Sequence, residues 1–317
     1  MSAALTFYSR VFALVVAALL GYALVLIFAP FFTAMCWAAF LAFLLYPINL
    51  RLRRRLHGNG RAAGLLTVLT PITKMMAHLP LAFLDRPPKD ALVICFGMGT
   101  TFRSLRSWGI PVTAVELVPS VPRLFAYFHR DASAILSSPL SHVVVDDGRR
   151  YLERTPQQYD VITIDPPPPV EAAGSSLLYS ENFYTVLRQR LRPGGILQQW
   201  LPNGDSEDVA AVALALRRSF PYVRVFAFGK NWGFHFLATD QPLVNRTASE
   251  LAQRLPALAA ADLVEWDDKP DPEGRFAHLL HNELSIDSLI APSPATPALS
   301  DDRPINEYYA LRKELRP

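Results

Sequence analysis

No aspartate or glutamate occurs among the first 84 residues of this 317-residue chain. The same stretch holds seven basic residues, Arg10, Arg51, Arg53, Arg54, Arg55, Arg61 and Lys74, so the formal charge of +3 is unevenly spread. Of the 31 basic and 28 acidic residues, 24 and 28 fall in residues 85–317, a net charge of −4 there. A mildly acidic body lacks the basic stripe with which a protein tracks phosphates, which argues against nucleic acid as its partner. Cysteine is scarce as well. Cys36 and Cys95 are the two, and neither has CxxC or metal-ligand spacing. The expectation is no disulfide and no metal site.

What the front end does have is apolar length. Val11 to Ala29 is an uncharged run of 19 residues, about what a helix needs to cross roughly 30 Å of hydrocarbon. After Pro30 a second apolar stretch runs from Phe31 to Tyr46, and the basic block Arg51–Arg55 comes next. Proline breaks a helix, so residues 11–46 are predicted to form a transmembrane helical hairpin in the lipid bilayer. Basic clusters stay on the cytoplasmic side. That places both the N-terminus and the body in the cytoplasm, held at the inner (cytoplasmic) membrane. A cleavable leader is the alternative; the length of the run and the second span count against it.

From Pro80 onward short apolar runs alternate with amphipathic stretches. Predicted strands are Ala91–Phe96, Val112–Leu117, His142–Asp146, Asp160–Asp165, Ile196–Trp200, Val223–Phe228 and Phe234–Thr239. Predicted helices are Thr101–Trp108, Val121–Arg130, Arg149–Arg154, Glu181–Leu191 and Glu207–Ser219. Alternation with continuously apolar strands implies a parallel sheet covered on both faces. The fold class is therefore α/β, a Rossmann-like doubly wound sheet of the class I methyltransferase type. Its last two strands are consecutive, with no helix between them, and form an antiparallel edge. The expected division is residues 1–73, hairpin and basic segment, and residues 74–317, a nucleoside-binding domain. "RPGG" at 192–195 is read as a stop between helix and strand, a short helix is expected around Ala248–Leu258, and "APSPATPALS" at 291–300 as a surface loop.

The candidate site lies along the strand tips. Gly97 and Gly99, in "ALVICFGMGTT", come after the first strand and precede a helix, where glycine permits a tight turn and close approach of a ligand. Glu116 comes 19 residues after Gly97 at the tip of the second strand, about where an acid hydrogen-bonds ribose hydroxyls in nucleotide-binding domains. Asp146, Asp147 and Gly148 end the third strand; a carboxylate there accepts from an adenine amino group or caps the next helix, and the two roles are compatible. Asp165, in "YDVITIDPPPP", ends the fourth strand, where an acid can orient or deprotonate an attacking amine or simply form the turn before proline.

These motifs resemble the spermidine synthase family of aminopropyltransferases. The likeness covers roughly Lys74 to Tyr309 through "KMMAHLPL", "DDGRRYL", "YDVITIDPPPP", "LLYSENFY", "LRPGGIL" and "WGFHFL", and is greatest to the membrane-associated branch ending in "DDRP…EYY". The resemblance implies transfer of an aminopropyl group from decarboxylated S-adenosylmethionine to a small-molecule amine, with a possible homodimer. It assigns Glu116 to the ribose, Asp147 and Gly148 to the adenine, Asp165 to the amine proton, and His78 and Tyr179 to the amine side. Residues 1–73, with "ALVLIFAPFFTAMCWAAFLAFLLYPINLRLRRRL", resemble the opening spans of autoinducer-2 exporter permeases. No later segment is apolar enough to complete a transport pathway, so the hairpin is read as an anchor.

Two positions depart from the family pattern. Met98 stands where an acid holds the aminopropyl ammonium, and Pro168 where a second amine-binding acid comes after Asp165. A thioether is a poor partner for an ammonium. Methyl transfer from intact S-adenosylmethionine is therefore the second expectation, and a non-enzymatic membrane protein, a nucleoside sensor or fusion remnant, the third.

Overall fold

The computed structural model describes residues 63–165, 174–229, 232–267 and 269–307, with a few isolated positions besides. The predicted hairpin, apart from isolated positions, together with Arg51–Arg55 and Pro168, lies outside the described residues. Among the described residues no helix is long and apolar enough to cross a membrane. The chain divides into two compact units, Met1–Leu66 and Thr67–Pro317.

The second unit is built on one eight-stranded sheet. The strands are β1 (Ala91–Ile94), β2 (Val112–Glu116), β3 (Ser141–Val145), β4 (Tyr159–Ile164), β5 (Leu191–Pro202), β6 (Tyr222–Ala227), β7 (Gly233–Thr239) and β8 (Glu283–Leu284). They lie in the order β3-β2-β1-β4-β5-β7-β6-β8. The first five are parallel, while β7 runs antiparallel to β5 and β6 antiparallel to β7. All seven predicted strands are present, and β8 adds two residues beyond the expected edge pair.

Side chains alternate between two cores, as period-2 strands require. Ala91, Val93 and Val161 face a cluster with Phe102, Leu105, Leu251 and Phe276. Leu92, Ile94 and Ile162 face another with Leu152, Phe183, Leu187 and Val212. The first face carries α1 (Ala63–Phe83), α2 (Thr100–Arg106), α8 (Ala248–Gln253), α9 (Ala257–Leu263) and α10 (Pro272–His281). The second carries α5 (Gly148–Arg154), α6 (Glu181–Arg190), α7 (Ser206–Ser219) and α11 (Ile286–Ile290).

Helix α1 contains Pro71 and Pro80. A proline inside a helix has no N–H for the carbonyl four residues earlier. Pro80 thereby releases the Met76 carbonyl, which accepts the Thr163 hydroxyl of β4 at 3.0 Å. The helix is pinned to the sheet through the bond that its own proline gave up.

Several expectations need correction. The helix expected over Val121–Arg130 is a 3₁₀ turn, Pro122–Leu124, then α3 (Phe125–Phe128). His129 is extended and ends it, and α4 (Ala132–Leu136) comes next. "RPGG" does not separate helix from strand: Leu191 already pairs with Tyr159, and after a register shift Ile196 pairs with Val161. Gly194, at φ +69°, takes part in that irregularity. Residues 242–304 hold several short helices rather than one, three of them capped by Thr247, Asp271 and Ser285. The expected surface loop at 291–300 buries Ala298 and Leu299 in the second core.

Candidate active site

The glycine turn is built by backbone hydrogen bonds and packing. The Cys95 amide donates to the Val115 carbonyl at 2.9 Å, and the Gly99 amide to the Phe96 carbonyl at 2.8 Å. Gly97 and Gly99 have φ of +53° and +79°, left-handed values that glycine adopts freely. A Cβ at Gly99 would stand 2.3 Å from the Phe125 ring, so the turn also needs its lack of side chain. Phe96, Phe102 and Phe125 form the aromatic bed beneath, with centroids 5.3 to 6.1 Å apart. Cys95 also has positive φ, +67°, a conformation that is strained for a residue with a side chain.

Glu116 closes the ring around this turn from β2. Its carboxylate accepts from the Phe96 amide at 2.8 Å and the Val118 amide at 2.9 Å. Two N–H donors hold it in one orientation beside the glycines. Asp147 is the N-cap of α5, accepting from the Arg150 amide at 2.8 Å. Asp146 turns instead to the Arg150 guanidinium, at 2.6 Å from its Nε, which holds its carboxyl below the usual range. Gly148 packs tightly, since a Cβ there would lie 2.4 Å from an Ile94 methyl. Of the two neighbouring acids, Asp147 is thus the cap and Asp146 the ion-paired one.

Asp165 comes directly after β4, its amide donating to the Ile94 carbonyl at 3.0 Å. Burial pushes its carboxyl up to about 8, the Thr101 hydroxyl opposing this by a hydrogen bond and the Glu116 charge adding to it. A Cβ placed on Gly97 would be 3.8 Å from Asp165 Oδ2, so the bare glycine leaves the approach to the acid open. The Cys95 thiol reports the convergence. It is pushed up to about 12 by burial and then by the charges of Asp165, Glu116 and Asp147. Glu116 on the Phe96 amide, Asp165 on the Ile94 carbonyl and Gly148 against Ile94 thus bring the tips of β2, β4 and β3 to the end of β1, the carboxyl edge where doubly wound folds take ligands.

Acids at the other edge of the sheet behave differently. Asp90 binds Arg192 at 2.5 and 2.8 Å, and Asp160 binds Arg86 at 2.6 Å. They are neutralised by arginines, whereas Glu116 holds backbone N–H groups.

His78 is not brought to this rim. Its ring is fully buried, Nε2 lies 2.9 Å from Asp262 Oδ2, and Nδ1 accepts from Trp108 Nε1 at 3.0 Å. Lys74, Arg103 and Ser104 converge on the same Asp262. Although burial opposes it, the His78 hydrogen bond and the Lys74 charge hold that carboxyl well below its usual value. The histidine joins α1 to α9, and both ring nitrogens are used. Tyr179 is buried in the second core, just past the 3₁₀ turn Ser175–Leu178. Sequence reasoning missed Thr101, which contacts Asp165, and Cys95, the strained residue at the centre. The signal for both was their place in "CFGMGTT" directly after an apolar strand. Among the described residues no group of three or more His, Cys, Asp or Glu is gathered as metal ligands.

Comparison with known proteins agrees with this fold. The chain is 35% identical over 167 residues to polyamine aminopropyltransferase 2 of Pseudomonas aeruginosa, covering 48% of this chain and 47% of that protein. It is 29% identical over 201 residues to polyamine aminopropyltransferase 2 of Hyperthermus butylicus, covering 59% of this chain and 65% of that one. The chain thus spans about half to two thirds of the length of these relatives. In fold it is similar to a probable spermidine synthase from Corynebacterium glutamicum, with a TM-score of 0.54 at 19% identity over 73% of this chain and 80% of that one. The spermidine synthase from Thermotoga maritima gives 0.52 at 18% identity, over 70% and 75%. The profile of the spermine/spermidine synthase domain matches residues 70–229, half of the chain, and the protein belongs to that family.

Proposed function

We propose that this protein transfers an aminopropyl group from decarboxylated S-adenosylmethionine to a small amine. The observation that carries the reading is the attachment of Glu116 to the Phe96 amide and of Asp165 to the Ile94 carbonyl on either side of Cys95, with Asp147 at the tip of the next strand and Asp165 buried. Glu116 binds the ribose and the Asp147–Gly148 tip faces the adenine. The amine lone pair attacks the methylene carbon beside the sulfonium. The carbon–sulfur bond breaks, its electron pair returns to sulfur, and neutral methylthioadenosine leaves. Asp165 takes the proton that the amine sheds. Since the sulfonium is already a good leaving group, most of the acceleration comes from holding amine and carbon in line. Release of methylthioadenosine from labelled decarboxylated S-adenosylmethionine plus an amine tests this, with Asp165→Asn expected to lower the rate about 100-fold. No product with any amine would sink the proposal.

Methyl transfer is the second reading, favoured by Met98 in place of an acid. Calorimetric titration with the two donors separates them: binding of the decarboxylated donor alone excludes methyl transfer. Failure to bind either would leave a non-enzymatic protein.

The proposed location is the cytoplasmic membrane face, supported by the apolar pattern of residues 11–46 and the basic block after it. Carbonate extraction of membranes tests it, since a peripheral protein is released and an inserted hairpin is not.

A further inference from the structure

Beside Asp165 lies a group of buried polar side chains that the proposed chemistry does not use. Thr163 pairs with Gln198 and Ile164 with Gln199, so one step further along the ladder Asp165 comes beside Trp200. Trp200 pairs in turn with His235 on β7. Asp165, Trp200 and His235 thus form a row across three strands, with Gln198 one step inward, all on the face that α1 covers through Ile72 and Met76. Gln198 and His235 hydrogen-bond to each other, Nε2 to Nδ1, at 3.2 Å. Among the described residues the remaining polar atoms, Gln198 Oε1, His235 Nε2 and Trp200 Nε1, have no hydrogen-bond partner. Buried polar atoms are nearly always satisfied, so three orphans on adjoining rungs of β5 and β7 call for partners from outside the described residues.

The orphans define its chemistry. If the Gln198 amide donates to Nδ1, its oxygen is left as an acceptor and His235 Nε2–H as a donor. If the amide is turned, its NH₂ is left as a donor and Nε2 as an acceptor. Either way one acceptor and one donor remain, and Trp200 adds a second donor. A hydroxyl accepts two hydrogen bonds and donates one, which matches. An ammonium only donates, and a carboxylate only accepts. Burial pushes the His235 imidazole down to about 3, so the row presents no cation to a carboxylate.

We infer that Gln198, Trp200 and His235 form the far end of the acceptor subsite, and that the acceptor is an amine whose other end is a neutral hydroxyl rather than a second ammonium. The inference rests on the proposed aminopropyl transfer for the role of the near end at Asp165. Trp200 and Asp165 each keep 7% exposure while Gln198 and His235 have none, so the acceptor enters from the carboxyl edge.

The test compares two acceptors alike in length, aminobutanol and putrescine. Each is titrated calorimetrically into the full chain with and without methylthioadenosine, while the imidazole resonances of His235, assigned by their loss in His235→Phe, report the site. Aminobutanol is expected to bind about tenfold tighter than putrescine and to move His235, since one matched buried hydrogen bond is worth about that factor. Gln198→Leu should remove the preference and leave putrescine unchanged. Should that variant fail to fold, Trp200→Phe, which deletes one N–H and keeps the packing, is read in its place with the same expectation. Equal affinities (the result if only water fills the site), tighter putrescine, no binding of either, or an unmoved His235 overturns the inference. An intact alcohol preference without methylthioadenosine binding would instead sink the donor reading alone.

Discussion

Asp165 and Glu116 reach the candidate site from opposite sides of β1, and both are fixed to the backbone at its carboxyl end. The Asp165 amide donates to the Ile94 carbonyl at 3.0 Å, and the Glu116 carboxylate accepts from the Phe96 amide at 2.8 Å. Only Cys95 separates the two attachment points. The two acids therefore feel each other, and the Glu116 charge helps to keep Asp165 protonated.

Rate and stability should respond to pH in opposite directions. Asp165 titrates at about 8 when folded against 3.8 as its reference. The folded state binds the extra proton, so the stability it contributes is present below pH 4 and is lost as pH rises through 8. The proton-accepting form, by contrast, appears only toward pH 8. Methylthioadenosine release should therefore climb with pH toward that value in single-turnover assays, while stability in urea declines over the same window. Asp165→Asn should flatten both; a rate independent of pH between 6 and 9, or an unchanged stability profile, contradicts the assignment.

Glu116→Gln tests the ribose end. The substitution replaces one acceptor oxygen with an NH₂ group that faces a backbone N–H, losing a hydrogen bond to a charged group, about 1.5–3 kcal/mol. Calorimetry should show methylthioadenosine affinity reduced at least tenfold with the circular dichroism spectrum unchanged. Undiminished affinity would place the nucleoside elsewhere.

Gly99→Ala and Gly109→Ala form a controlled pair. Both glycines have positive φ, but a Cβ at Gly99 meets Phe125 at 2.3 Å, while at Gly109 nothing lies within 4 Å. Strain alone is about 1–2 kcal/mol, and overpacking adds about 1–3 kcal/mol more. Urea denaturation should show the larger loss for position 99. Equal losses would mean that the aromatic bed yields.

Met98→Asp restores an acid beside Gly97. If the methionine is what excludes an ammonium here, the aspartate should tighten binding of decarboxylated S-adenosylmethionine about tenfold and leave methylthioadenosine, which lacks the aminopropyl group, where it was. Equal change for both compounds would show that position 98 acts through the turn rather than through charge.

His78→Ala separates structure from chemistry. The variant leaves Asp262 and Trp108 short of a buried partner, for a stability loss of about 3 kcal/mol. Nucleoside affinity at a temperature well below unfolding should not change. A selective loss of amine binding would return His78 to the substrate.

Much of this protein was legible in the sequence because the relevant forces are local. Continuous apolar strands, the glycines after β1 and the acids at the tips come from period, turn chemistry and spacing, and all seven strands stand where the pattern puts them. The helix expected over Val121–Arg130 failed because Pro122 and the extended His129 divide it, a matter of backbone detail that hydrophobic period does not register. The short helices after Pro242 were hard to read because each is too short to be stable alone and persists by packing, α8 to α10 on the first core and α11 on the second.

By itself the sequence determined the strands, their parallel character with an antiparallel edge pair, and which acids follow the strands, since these depend on which residues alternate and where the chain must turn. Tertiary structure alone decided that His78 belongs to Asp262 and Trp108 and that Trp200 and His235 stand in line with Asp165. It also fixed Glu116 and Asp165 on either side of Cys95, at the Phe96 amide and the Ile94 carbonyl. Those relationships join residues far apart in the chain, and only the register between strands and the burial of each side chain fixes which polar groups meet.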